Sequence, residues 1–437
     1  MNLRITPVDR LAGEVEVPGD KSISHRAALF GALAEGRTEI TGFLEGEDCL
    51  NTLHAIRALG VEVTRKGEGR YLVDGAGLHG LSEPDDVIDY GNSGTGARLL
   101  LGVLAGQPFT TVITGDDSLR RRPMGRVAEP LTRMGAAVVG RDGGRYLPLA
   151  ITGRRPLRAL AYRSPVASAQ VKTALLLAGL WADGPVTVEE PAVSRDHTER
   201  MLRGFGARLE VAPGRVTITP GAPLTGQPVT VPGDISSASF FLVAGAIVRD
   251  GRVTIRNVGV NPTRTGILDA LGAMSARVRE TAQPAGAGEP ISELAVTSGG
   301  LAATEIGGSL IPRLIDEVPV LAVAACVADG VTRIRDAAEL RVKESDRIRM
   351  VAAELGKMGA RITERPDGLD IEGGVRLTGA RVRSGGDHRM AMALAVAGLV
   401  ADGPTVIEDT DCIATSFPGF AELLNRLAGG APVAVAS

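Results

Sequence analysis

At 437 residues the chain is too long for one hydrophobic core and implies two domains, or three. An apolar content of 44% suits a globular protein, and a net charge of −3 gives no reason to expect nucleic acid or an anionic membrane as partner. Three cysteines (Cys49, Cys326, Cys412) without a C-x-x-C pair exclude a disulfide framework or a cysteine-rich zinc site, and no signal-like or membrane-length apolar run is present, so a cytoplasmic location is expected.

An alternating run from Arg4 to Val17 reads as a strand, and Ala27–Ala34 reads as an apolar helix. Between them lies Pro18-Gly19-Asp20-Lys21-Ser22-Ile23-Ser24-His25-Arg26. Pro-Gly breaks the strand, Asp20 or Ser22 can cap the helix, and Lys21 and Arg26 stand near N–H groups without helical acceptors. That arrangement suits a phosphate or carboxylate, although a capped helix with a solvated lysine leaves the same trace. It is not a Walker A loop. Of 48 basic residues only five are Lys, so a lysine in a polar motif points to chemistry that guanidinium cannot supply.

The junction recurs at Asn92–Leu100, Ser164–Gly179, Pro232–Ala246, Ile311–Glu317 and Ser384–Met392. After each helix comes a small-residue turn and a short β-rich run. A second helix then ends in Gly-Ala or Gly-Val, as at Leu59-Gly60-Val61, Met134-Gly135-Ala136, Phe205-Gly206-Ala207, Leu271-Gly272-Ala273 and Met358-Gly359-Ala360. The expected fold class is α/β (α+β): two similar domains, each of three βαβαββ repeats, joined by a two-stranded hinge. Near-identical Val17-Pro18-Gly19-Asp20 and Val231-Pro232-Gly233-Asp234 place the boundaries, giving 1–19 plus 233–437 as one domain and 20–232 as the other. Ala282–Glu289 and the tail after Ala428 read as loop and frayed end.

The densest polar constellation is Glu339-Leu340-Arg341-Val342-Lys343-Glu344-Ser345-Asp346-Arg347, where helical spacing puts Lys343 and Arg347 on one face. A surface helix laced with ion pairs is the plain alternative. Asp316, flanked by apolar residues, is either paired or a base with a shifted pKa. Arg122 precedes a helix-starting proline, Asp387-His388-Arg389 opens the sixth copy's helix, and Arg195-Asp196-His197 follows a strand. Cations at one topological place in several repeats imply a small ligand with more than one anionic group.

In order, P-G-D-K-S-I-S-H-R, G-N-S-G-T-G-A-R, R-R-P-M, S-A-Q-V-K-T-A, S-R-D-H-T, L-I-D-E-V-P, R-V-K-E-S-D-R and G-D-H-R-M-A-M resemble the EPSP synthase (3-phosphoshikimate 1-carboxyvinyltransferase) family over essentially the whole chain. The resemblance implies transfer of the enolpyruvyl group of phosphoenolpyruvate to the 5-hydroxyl of shikimate 3-phosphate, without metal or organic cofactor, in a monomer inhibited by glyphosate. It assigns Lys21, Ser22, Arg26, Ser168, Ala169, Gln170, Ser194, Asp316 and Lys343 to shikimate 3-phosphate. Lys21, Gly94, Arg122, Gln170, Arg347 and Arg389 fall to phosphoenolpyruvate. Asp316 matches the base for the 5-hydroxyl, and Glu344 with Lys21 matches the groups that move the methylene proton. Departures are Thr415 where many members carry Lys, Glu339 where others carry Asn, and His197 where others carry Tyr. The alternatives are the sister family, UDP-N-acetylglucosamine enolpyruvyl transferase, and a non-catalytic anion-binding repeat protein. An RNA-end ligase is disfavoured by the acidic charge and 3% aromatic content.

Overall fold

The structure, a computed structural model, describes residues 1–286 and 288–436. Among these residues the chain forms six four-stranded mixed sheets. Each is built from the same βαβαββ unit: a lead strand parallel to the second strand, which lies antiparallel to the unit's closing strand. In the second copy, Ile88–Asp89 pairs parallel with Thr110–Thr114, which is antiparallel to Tyr146–Thr152, and Ala137–Gly140 forms the far edge. A parallel pair cannot be joined by a tight turn, so in the second, third, fifth and sixth copies the lead strand connects to the second through a helix, whereas in the first and fourth the lead strand comes from a distant part of the chain.

The first helix of each copy is buried on nearly every side, and any polar side chains gather in its first turns; Ile235–Ile247, with Phe240, Phe241, Leu242 and Val243, is strongly apolar. The second helix carries a single apolar stripe. Arg347–Lys357 buries Arg347, Ile348, Val351, Glu354 and Leu355 at helical spacing. The Gly-Ala and Gly-Val turns end these helices with a left-handed residue, as at Gly60 (φ +87), Gly135 (+107), Gly206 (+99) and Gly359 (+88). The fourth copy departs from the expected turn at Gly272. Its helix continues through Gly266–Ala273, and Ser275 (φ +63) takes the left-handed position.

The chain divides into two compact units: 1–18, 232–284 and 290–437 in one, and 19–231 with 285–289 in the other. Each has its own apolar core. The expected N-terminal strand is in fact two. Leu3–Ile5 closes the sixth copy's sheet between Thr405–Glu408 and Val433–Val435, and Arg10–Glu16 leads the fourth copy beside Asp250–Gly259. The lead strand of the first copy is Val229–Thr230, parallel to Glu35–Thr41. Two segments read as unstructured are also strands, since Arg277–Gly286 and Glu289–Thr297 are neighbours in one sheet and Val433–Val435 lies in the tail. Pairing with neighbouring strands, which short runs beside Gly and Pro do not announce, decides there; Ala287 and Ser437 lie outside the described residues.

Candidate active site

In the unit containing residues 19–231, Asp20 caps the helix Lys21–Leu33 by accepting the Ile23 N–H at 2.9 Å. Lys21 and Ser22 therefore occupy the first turn, where N–H groups have no helical acceptor. The Lys21 ammonium is ion-paired with Asp48. Arg26, 2% exposed, donates to Ser22 O, Thr198 Oγ1 and Thr173 Oγ1, each at 2.8 Å. Burial lowers its pKa to about 10, with Glu199 and Asp20 opposing, so it stays charged at neutral pH. His25 is buried with Nδ1 2.7 Å from Thr52 Oγ1, and burial together with Lys21 and Arg26 pushes its pKa well below the ordinary value. It is a neutral core histidine, not an acid catalyst.

Ser93 caps Gly94–Ala105 by accepting the Gly96 N–H. Arg98 Nη1 donates to Gly94 O (3.2 Å) and Gln170 Oε1 (2.9 Å), and its Nη2 donates to Pro123 O (2.9 Å). Gln170 Nε2 donates to Thr95 Oγ1 at 2.9 Å, and Arg122 Nη2 to Asn92 O at 2.6 Å. Gly94, Arg98, Arg122 and Gln170 thus form one group with two guanidiniums. Gly94 is not among the glycines with positive φ. A Cβ there would lie 2.9 Å from Arg98 Nη1 and 3.0 Å from Arg122 Nη1, so the close approach of these side chains, not backbone freedom, accounts for the glycine. Ser168, Ala169 and Gln170 lie at the start of the helix Ala169–Gly179, which Ser168 caps. Ser194 is buried on the segment that follows the strand Val186–Glu189.

In the other unit the centre is Arg347, 1% exposed. Its Nη1 lies 3.1 Å from Asp316 Oδ1, its Nη2 2.7 Å from Glu344 Oε2 and its Nε 2.8 Å from Asp387 Oδ2. Burial alone would lower the guanidinium pKa, but Asp387, Glu344 and Asp316 together hold it above the ordinary value. Burial would raise the Asp387 pKa, yet Arg347 brings it below the ordinary value. Lys343 Nζ is 3.5 Å from Asp316 Oδ1, and Arg389 Nη1 donates to the Asp316 carbonyl at 3.3 Å. Asp316, Lys343, Glu344, Arg347 and Arg389 are therefore one cluster. Lys343 and Arg347 do not share a helix face, contrary to expectation. A 3-10 turn covers Ala338–Val342, Asp346 caps by accepting the Arg349 N–H, and the helix begins only at Arg347. The break lets Lys343 and Arg347 both reach Asp316.

Asp48, Arg98 and Asp387 escaped the sequence reading as site residues. Arg98 and Asp387 stand inside motifs singled out there, and an Asp directly before an apolar helix is a cap signal, but Asp48 carries no local sign of its pairing with Lys21. At the departures, Thr415 Oγ1 donates to Cys412 O at 2.7 Å and lies 3.3 Å from His388 Nδ1. His197, 1% exposed, has Nδ1 2.8 Å from Glu289 Oε1. Glu339 is half-buried on the 3-10 turn. No group of His, Cys, Asp or Glu among the described residues is arranged to hold a metal ion.

The family model for EPSP synthase (3-phosphoshikimate 1-carboxyvinyltransferase) matches residues 5–424. The chain is 58% identical over 428 residues to the 3-phosphoshikimate 1-carboxyvinyltransferase of Geobacter sulfurreducens, covering 98% of this chain and 99% of that one. To the enzyme of the same name from Synechococcus elongatus it is 57% identical, covering 98% and 96%. The solved EPSP synthase from Acinetobacter baumannii superposes with a TM-score of 0.88 at 44% identity, each chain being covered completely. Eight ordered motifs, the six-sheet repeat and these matches agree: the chain belongs to the EPSP synthase family.

Proposed function

We propose a division of roles for the enolpyruvyl transfer of the shikimate pathway that this family performs. Ser22, Arg26, Ser168, Ala169, Gln170, Ser194 and Lys343 hold shikimate 3-phosphate. Lys21, Gly94, Arg122, Gln170, Arg347 and Arg389 hold phosphoenolpyruvate, whose phosphate and carboxylate call for several cations. Protonation of the phosphoenolpyruvate methylene, through Glu344 and Lys21, builds positive charge at C2. The substrate's 5-hydroxyl oxygen attacks that carbon while its proton passes to Asp316, giving a tetrahedral ketal. Loss of a methyl proton and of phosphate then leaves the enol ether.

The observation that carries this reading is the pair of carboxylates, Asp316 and Glu344, bound to one guanidinium of Arg347. An anion-binding protein gains nothing from carboxylates that repel its ligand. Glyphosate is expected to compete with phosphoenolpyruvate, and a monomer in the cytoplasm is the expected state; no helix among the described residues is long and apolar enough to cross a membrane. The test is phosphate release, expected only with phosphoenolpyruvate and shikimate 3-phosphate together. Release with UDP-N-acetylglucosamine in place of shikimate 3-phosphate would move the chain to the sister activity, and no release with either would leave the non-catalytic reading.

A further inference from the structure

Behind Ser168 and Ser194 lies a buried group of charges that the roles above leave unused. Lys172 is 2% exposed, and its Nζ lies 3.0 Å from Glu190 Oε2 and 2.7 Å from Glu199 Oε1. Glu190 in turn accepts the Ser168 backbone N–H at 3.0 Å and the Ser194 hydroxyl at 2.7 and 2.8 Å to its two oxygens. Lys172 also donates to the Ser194 carbonyl at 3.4 Å. One carboxylate thus bonds to both serines, and one ammonium holds both that carboxylate and the backbone of the second serine.

Stability alone does not account for this arrangement. Taking an ammonium and two carboxylates out of water costs several kcal/mol per ion, and well-packed apolar residues of similar volume usually serve a core equally well. What the charges do is tie together two serines that come from different elements, the Ser168 backbone at the cap of Ala169–Gly179 and the Ser194 hydroxyl on the segment after Val186–Glu189. The protons are also allotted. Ser168 Oγ accepts the Val171 N–H, which leaves its own O–H free to donate to a ligand, whereas the Ser194 proton is committed to Glu190. The same group extends toward Arg26, because Glu199 is the strongest influence raising the Arg26 pKa, and Arg26 bonds Thr173 and Thr198, the chain neighbours of Lys172 and Glu199.

We infer that Glu190, held by Lys172 and Glu199, is a positioning residue that sets the geometry of Ser168 and Ser194 for the anionic end of shikimate 3-phosphate. The inference rests on the assignment of those serines to this substrate. Glu190→Gln keeps the shape but offers one acceptor oxygen where the carboxylate offers two, and its amide N–H2 group faces donors. Glu190→Asp keeps the charge beside Lys172 but is one methylene too short to bridge both serines.

The experiment is calorimetric titration of shikimate 3-phosphate into the wild-type chain and the variants Glu190→Gln, Glu190→Asp and Ser168→Ala, together with steady-state kinetics. Each Glu190 variant is expected to weaken shikimate 3-phosphate at least tenfold while kcat and the KM for phosphoenolpyruvate stay within threefold. A purely structural role would lower the melting temperature without this split. If either folded Glu190 variant binds within threefold of wild type while Ser168→Ala is weakened, the inference is overturned and the site assignment stands. If the wild-type chain does not bind shikimate 3-phosphate, or Ser168→Ala binds normally, both fall.

Discussion

Gly94→Ala offers the sharpest test of where phosphoenolpyruvate binds. The new methyl would sit 2.9 Å from Arg98 Nη1, 3.0 Å from Arg122 Nη1 and 3.4 Å from Leu119 Cδ1. Ordinary contacts begin near about 3.5 Å, so each guanidinium has to retreat by about 0.5 Å. Both are ends of flexible side chains and can do so without disturbing the backbone. The retreat stretches the 2.9 Å bond from Arg98 to Gln170 and moves Arg122 from its place beside Asn92. Hydrogen bonds to charged groups are worth about 1.5–3 kcal/mol, so misplacing one such contact to the substrate corresponds to a rise of about 10- to 150-fold in KM for phosphoenolpyruvate. The fold is expected to survive, because the position is helical without a positive φ and alanine is the better helix former by up to about 1 kcal/mol. Glyphosate, longer than the substrate, is expected to lose more than phosphoenolpyruvate does. The assay is initial rate against phosphoenolpyruvate with and without glyphosate, paired with a melting curve. An unchanged KM and inhibition constant alongside a lowered melting temperature would refute the argument, since the glycine would then serve packing alone.

Asp316→Asn is expected to keep substrate affinity and lose about 10² to 10⁴ in kcat, because the amide preserves shape and cannot accept the proton, whereas Lys343→Met should mainly weaken shikimate 3-phosphate. Titrations and single-turnover rates separate the two, and equal losses of binding in both variants would reverse the assigned roles. Asp387→Asn removes a buried partner of Arg347, a change that typically costs about 3–5 kcal/mol. The Asp387 pKa is lowered in the folded state, so its contribution is complete above the ordinary carboxylate range, near pH 4, and fades as pH falls through the lowered value. Melting curves should therefore show a wide gap between wild type and variant at pH 7 that narrows below about pH 4; a gap independent of pH would contradict this.

Much of the molecule is legible in the order of residues alone. Pro-Gly-Asp before an apolar run can be little other than a breaker, a cap and a buried helix, and the recurrence of a polar turn before an apolar helix along the chain reveals the repeat. Asp20, Ser93, Ser168, Asp234 and Asp387 all cap as such residues do, since a short polar side chain finds an N–H two or three residues ahead whatever the rest of the chain is doing. Tertiary structure alone decided which sheet each strand joins. The duplicated Val-Pro-Gly-Asp after Arg10–Glu16 and Val229–Thr230 marks the domain boundaries, but nothing local says which strand each will lie beside, because strand pairing is a choice among distant partners. It also decided the charge partners. Lys21 finds Asp48, Asp316 finds Arg347 and Lys172 finds Glu190, pairs set by burial and by the distance between side-chain ends, quantities that exist only once the backbone has closed on itself.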